Sequence, residues 1–116
     1  MKLWYVYIMT NKPKGVLYAG MTDNIDARVQ EHKTKVFKKS FTARYNCDKL
    51  VYLEEYDEGF EASKREQQMK KWKRGWKIKL VEEMNPEWFD LSLNWNNGDL
   101  KFLRKDKLIQ NKNKMR

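Results

Sequence analysis

Two short runs rich in β-branched and aromatic residues, Leu3 to Thr10 (LWYVYIMT) and Val16 to Met21 (VLYAGM), stand on either side of Asn11-Lys12-Pro13-Lys14-Gly15. Such runs favour strands, and Pro and Gly between them mark a turn, so the chain is predicted to open with an antiparallel hairpin. A loop of residues 11 to 14 pairs Tyr7 directly with Tyr18. Opposed residues point to the same face of a sheet, and the two phenols then stand side by side. A slip of one residue would turn one of them to the other face.

Beyond the hairpin, Asp23 or Asn24 can cap a helix from about Ile25 to Lys33, with Asp26 in its first turn. Helical spacing puts Ile25, Val29 and His32 on one stripe with Arg28 at its flank, so the apolar stripe ends in polar chemistry. Residues 36 to 48 are mixed and basic and read as an irregular connection, and Lys49 to Tyr56 (KLVYLEEY) reads as a third strand. Phe60 to about Trp72 reads as a helix, and Trp76 to Met84, after Gly75, as another closed by Asn85-Pro86. Ala62, Glu66, Met69 and Lys73 share one face of the first of these, so a carboxylate interrupts its apolar stripe. Asn85 to Leu93 carries enough Trp, Phe and Leu to pack back on the body. These boundaries define a domain at residues 1–93 followed by a basic, flexible tail at 94–116.

Composition narrows the chemistry. With one Cys (Cys47) and one His (His32) in 116 residues, an internal disulfide is impossible and Cys/His zinc sites are largely excluded. Any metal would be a hard ion held by oxygen. Sixteen aromatic residues exclude disorder over the whole length. The longest apolar run, Leu3 to Met9, is too short for a membrane span or a signal-peptide core, which points to a cytoplasmic protein with no membrane partner. The net charge is +9, of which the tail from Lys101 to Arg116, with seven basic residues and one acidic, holds +6. Further basic residues cluster at Lys33, Lys35, Lys38, Lys39 and Arg44, and eight lie between Lys64 and Lys79. A polyanion, nucleic acid first, is the expected partner, although such clusters also occur as solvated faces.

Each polar candidate has an ordinary reading and a chemical one. Tyr7 and Tyr18 are either an aromatic packing pair or a source of a phenol for proton transfer. Arg28 and His32 are either surface and half-buried helix residues or a phosphate clamp beside a proton shuttle. Glu66 is either paired with Lys70 at i+4 or a ligand of Mg²⁺. Asn85 is otherwise a helix-terminal residue forced out by the proline.

Taken in order, Val6-Tyr7-Ile8, then Tyr18-Ala19-Gly20 about ten residues later, Arg28 and His32 on one helix, Glu66 on another and Asn85 beyond resembles the GIY-YIG nuclease superfamily over roughly residues 2 to 92. The stretch REQQMKKWKRGWKIKLVEEMNPEW is similar to the small stand-alone bacterial single-domain branch, akin to the N-terminal domain of excision-repair nucleases. The resemblance implies an α/β module in which helices flank a three-stranded, mostly antiparallel sheet. It also implies a Mg²⁺- or Mn²⁺-dependent endonuclease on DNA, structure-preferring or weakly specific, with a place in repair or recombination and no organic cofactor. Carried over, Tyr7 aligns or deprotonates the attacking water and Tyr18 supports water or phosphate. Arg28 stabilises charge on the phosphate, His32 assists positioning or proton transfer, Glu66 holds the ion and Asn85 supports the site. Gly20 allows close backbone approach. The motifs depart from the superfamily's at VYI for GIY and YAG for YIG, and Met21 stands where some excision-repair relatives carry lysine. The contrasting expectation is a nucleic-acid-binding or adaptor module with a catalytically weak or vestigial site.

Overall fold

The computed structural model describes residues 2–93; the expected tail at 94–116 lies outside the described residues. Strands β1 (Trp4–Thr10), β2 (Leu17–Thr22) and β3 (Lys49–Tyr56) form one antiparallel sheet in the order β2-β1-β3. Helices α1 (Ile25–Thr34), α2 (Phe41–Arg44), α3 (Gly59–Lys71) and α4 (Arg74–Met84) complete it, with a 3₁₀ turn at Leu91–Leu93. This is the expected α/β architecture, a three-stranded antiparallel sheet with helices.

The central strand explains the unbroken apolar run near the N-terminus. Val6 to Thr10 are all buried, because β1 is covered on both faces. Its even residues Val6 and Ile8 join Ala62 and Met69 of α3 and Leu80 and Val81 of α4 in one core cluster. Its odd residues Tyr7 and Met9 join Ile25 and Val29 of α1 and Leu50 and Leu53 of β3 in the other. A bulge between Ile8 and Met9 shifts the pairing with β3.

The hairpin register differs from the four-residue loop expected. Thr10 pairs with Leu17, leaving 11–16 as the loop. Asn11 Oδ1 accepts from the Val16 amide at 2.8 Å, and Thr10 Oγ1 donates to the Val16 carbonyl at 2.7 Å, so side chains take up Val16 before the ladder can. Gly15 closes the turn, its N–H on the Lys12 carbonyl at 2.8 Å, where a Cβ would lie 2.1 Å from Asn11 Oδ1. The shift is two residues, so facing is preserved: Tyr7 opposes Gly20, and Tyr18 opposes Met9. The phenols remain on one face as diagonal neighbours.

Three other expectations are corrected. The stretch read as irregular contains one helical turn, α2, because Ser40 Oγ caps the Ala43 amide at 3.2 Å. The break between α3 and α4 falls at Trp72 and Lys73, both extended, and Gly75 sits inside the first turn of α4 with open space beside it. The buried stripe of α3 is Ala62, Arg65 and Met69, so the charge that interrupts it is Arg65.

Arg65 is buried against the fully buried Glu54 of β3. Its Nη2 donates to Glu54 Oε2 at 2.8 Å and its Nε lies 3.0 Å from both carboxylate oxygens. The Tyr52 and Tyr56 hydroxyls donate to the same carboxylate at 2.5 and 2.7 Å. Among the described residues every buried side-chain nitrogen or oxygen has a hydrogen-bond partner.

The segment after α4 packs back through the buried Trp88 and through polar bonds, whereas Phe89 and Leu93, which the composition also committed to the body, are exposed. Asn85 is buried and donates to the carbonyls of Val51 and Phe89 at 3.0 and 2.9 Å, and accepts from the Phe89 amide at 3.1 Å. Asp90 accepts from the Leu50 amide at 3.2 Å, from Ser92 Oγ at 2.6 Å and from Lys33 Nζ of α1 at 2.5 Å.

Removing one partner of a buried ion pair strands the other charge. Arg65→Met is expected to cost about 3–5 kcal/mol in urea unfolding, and adding Glu54→Leu to recover much of it. Burial of Asp90 favours its neutral form, but its bonds to Lys33 and Ser92 outweigh that and lower its pKa. A depressed carboxyl adds stability that is full above its unfolded pKa near 4 and is lost as pH falls through the lower folded value. The acid limb of a pH–stability profile should flatten in Asp90→Asn.

Candidate active site

The face of β1 turned to α1 ends in a phenol. Tyr7 is fully buried, and its ring crosses the backbone of β2 at Gly20, where a Cβ would lie 2.6 Å from the Tyr7 hydroxyl. Only glycine leaves room for that approach. The hydroxyl lies 3.0 Å from His32 Nε2, and His32 Nδ1 lies 2.8 Å from Thr42 Oγ1. Ser40 Oγ follows at 3.2 Å. A chain of hydrogen bonds thus runs from the central strand through α1 into α2. Tyr18 packs at its side, its ring centroid 6.3 Å from Tyr7 and 5.6 Å edge-on from His32.

Burial sets the charge state of the inner pair. It pushes the Tyr7 pKa well above that of an ordinary phenol, helped by Tyr18 and Glu66 and opposed by the Arg28 guanidinium. It lowers the His32 pKa, helped by Arg28 and opposed by Glu31. Both groups are neutral near pH 7. A neutral imidazole has one acceptor and one donor nitrogen. The phenol is a stronger donor than an aliphatic hydroxyl, so Tyr7 O–H takes Nε2, and Nδ1–H donates to Thr42.

The charged candidates sit at the rim. Arg28 is 40% exposed, with Nε 3.0 Å from Glu31 Oε1. The Glu66 side chain, next to Arg65 on α3, is 18% exposed and lies 3.5 Å from Lys70 Nζ. That nitrogen is also 5.9 Å from the centre of the Tyr18 ring. Tyr7 is the common point: it bonds His32 and lies within electrostatic reach of Tyr18, Arg28 and Glu66. Asn85 differs, since its amide holds backbone at Val51 and Phe89.

No group of three or more His, Cys, Asp or Glu able to hold a metal occurs among the described residues. The donor set fits a hard ion bound through one carboxylate, with water and substrate phosphate completing the shell, as Mg²⁺ accepts. Glu66 suits that role: it is shielded, its contact with Lys70 is long, and its charge is felt at Tyr7. Sequence reasoning did not single out Thr42, Ser40 or Glu31. The signal present was a capping serine followed by Phe-Thr-Ala-Arg, a helix start.

Residues 3–79 match the family described as the GIY-YIG catalytic domain. The chain belongs to that family. It is similar to the UPF0213 protein of Syntrophus aciditrophicus (strain SB), 41% identical over 83 residues, which are 72% of this chain and 93% of that protein. It is also similar to UPF0213 proteins of Staphylococcus haemolyticus, 37% identical over 79 residues (68% of this chain, 94% of that one), and Clostridium perfringens, 36% over 77 residues (66% and 81%). No solved structure gives a significant match. The GIY-YIG match brings a nuclease-type fold and, in general, a nucleic-acid substrate. No helix among the described residues is long and apolar enough to cross a membrane.

His32 is the only histidine of this GIY-YIG domain, so its imidazole titration can be followed by NMR without assignment. Its midpoint is expected below about 6.5 and should rise in Arg28→Ala, which removes a cation.

Proposed function

We propose that this GIY-YIG domain, residues 1–93, is a divalent-metal-dependent endonuclease that hydrolyses DNA phosphodiester bonds with structure preference or weak sequence specificity. The observation that carries the reading is the Tyr7 hydroxyl, buried, hydrogen-bonded to a neutral imidazole and influenced by both Arg28 and Glu66. As water attacks, the Tyr7 oxygen takes its proton while the Tyr7 proton passes to His32 Nε2. The imidazolium formed keeps its Nδ1–H on Thr42. Arg28 exchanges Glu31 for the phosphate, where charge develops. Tyr18 and Gly20 shape the wall against which the phosphate rests, and Asn85 is a positioning residue that ties β3 to the C-terminal segment. Glu66 would hold Mg²⁺ or Mn²⁺, which when bound acts as a Lewis acid on the scissile phosphate. So small a module has little surface for base readout, which suits a role in repair or recombination on structured DNA. Cytoplasmic placement belongs to the same reading.

The Lys70 ammonium beside Glu66 favours one other reading, a nucleic-acid-binding or adaptor module in which that cation takes the place of a metal. Cleavage of supercoiled plasmid and a branched oligonucleotide with Mg²⁺ or Mn²⁺ separates the two. The nuclease reading expects metal-dependent nicking, lost in Glu66→Ala and reduced about 100-fold or more in Tyr7→Phe. The rate should fall as acid protonates His32, through a pKa below the ordinary value. DNA binding without cleavage by wild type under every metal condition would leave the adaptor.

A further inference from the structure

A group of exposed rings adjoins the site and takes no part in the chemistry above. Phe37 is 60% exposed, and Phe41 and Tyr45 are each 44% exposed. They are not scattered. The Phe41 ring stacks on Tyr18 at 5.9 Å with planes 29° apart, and the Tyr45 ring is tilted 45° to Phe41 with its centroid 4.8 Å away. Phe41 and Tyr45 are one turn apart across α2, which Ser40 caps. Between this shelf and α1 is a cavity of about 150 Å³ walled by Tyr18, Phe37 and Phe41, by Arg28 and Glu31, and by the His32, Thr42 and Ser40 relay, so it opens directly onto the site. It is well below the roughly 300 Å³ at which drug-sized sites begin, and suits a single flat ring system.

Exposed rings of this number have a cost in water that a ligand face would remove. The same segment carries Lys38, Lys39 and Arg44, all exposed, and the Arg44 guanidinium lies over Tyr45 at 5.8 Å. Aromatic platforms inside a cationic groove are the physical means of binding single-stranded nucleic acid. Bases within a duplex already stack on one another and present only edges to a groove, so these rings have nothing to stack on there. Arg28 and Glu31 line the cavity as an ion pair, so when Arg28 turns to a phosphate the Glu31 carboxylate is left to accept from the amino group of a base edge.

We infer that Phe37, Phe41 and Tyr45 form a stacking subsite for unpaired nucleobases, and that the substrate presents a single-stranded segment beside the scissile bond. This rests on the nuclease reading for its substrate class. The cavity takes one base between Phe41 and Phe37, Tyr45 takes a neighbour, and the lysines follow the backbone. Tyr18 belongs to both sites, so stacking on Phe41 sets the distance of the adjoining phosphate from Tyr7.

The test measures binding of the full chain, in EDTA, to a twelve-nucleotide single strand carrying 2-aminopurine at its centre, and to the duplex of the same sequence. The expected result is tighter binding of the single strand, with 2-aminopurine quenched. Phe41→Ala should weaken single-strand binding about tenfold, leave duplex binding within twofold, and be rescued by Phe41→Trp. Phe37→Ala, at a more exposed position, repeats the test with little risk to folding. Equal affinity for single strand and duplex, or equal loss on both in Phe41→Ala, overturns the proposal. So does displacement of the strand by anionic phosphatidylserine vesicles with the same dependence on Phe41, which would make the shelf a membrane surface. No metal is needed, so the subsite can stand if nuclease activity is never found. Conversely, metal-dependent cleavage of a single strand at the wild-type rate by Phe41→Ala overturns the subsite and leaves the nuclease.

Discussion

The pair between Glu54 and Arg65 fixes α3 on the sheet, and much of the site follows from it. A bidentate guanidinium–carboxylate contact with no solvent leaves α3 little freedom to rotate about its axis. With Arg65 turned inward, the next residue round the helix, Glu66, is carried to the partly exposed flank where its charge reaches Tyr7. The Tyr52 and Tyr56 hydroxyls complete the carboxylate's shell, and burial together with the adjacent Glu54 charge raises both phenols' pKa. They stay protonated and remain donors. The arrangement is costly to desolvate and adds specificity of orientation more than stability.

The hairpin supplies the other half of the site by an equally local device. One asparagine and one threonine hold Val16 in the loop, lengthen it by two residues and set Tyr7 across from Gly20 instead of Tyr18. A direct Tyr7–Tyr18 pair would have put the second ring's Cβ where glycine now admits the first. The diagonal placement lets Tyr7 lie flat along β2 and reach His32, while Tyr18 stays half-buried between the inner relay and the outer aromatic shelf.

Much of this was legible from residue pattern alone. β3 runs from Lys49 to Tyr56 as its composition predicts, and α1 carries Ile25 and Val29 inward with His32 on the same stripe. What escaped was decided by partners distant in sequence. Helical spacing places Glu66 and Arg65 almost equally well near the apolar stripe of α3, and only Glu54, on another strand, selects Arg65. Loop length in the hairpin was settled by side-chain bonds that composition does not rank. The single turn of α2 is too short for periodicity to register, so Thr42, which orients the histidine, lay hidden in a stretch that reads as linker.

Within the site, burial sorts the groups by charge. The desolvated interior contains a phenol and an imidazole whose pKa values are driven apart, one up and one down, which makes both neutral at the same pH. A proton can pass between two neutral partners only if the ion pair it creates is stabilised from outside. The cations and anions that could do so, Arg28 and Glu66, stand at the rim, where solvation lowers the cost of their charge and where an anionic substrate would arrive. In the resting state each rim charge has a partner of opposite sign, Glu31 for Arg28 and Lys70 for Glu66. On the proposed nuclease reading, a phosphate entering the site would compete with Glu31 for the guanidinium and offer a new partner to Lys70, which would loosen both resting pairs together. On that reading the guanidinium would pass from Glu31 to the phosphate and Glu66 from Lys70 to the ion it would hold, so the arrival of the substrate would itself rearrange the rim charges around the inner phenol and imidazole.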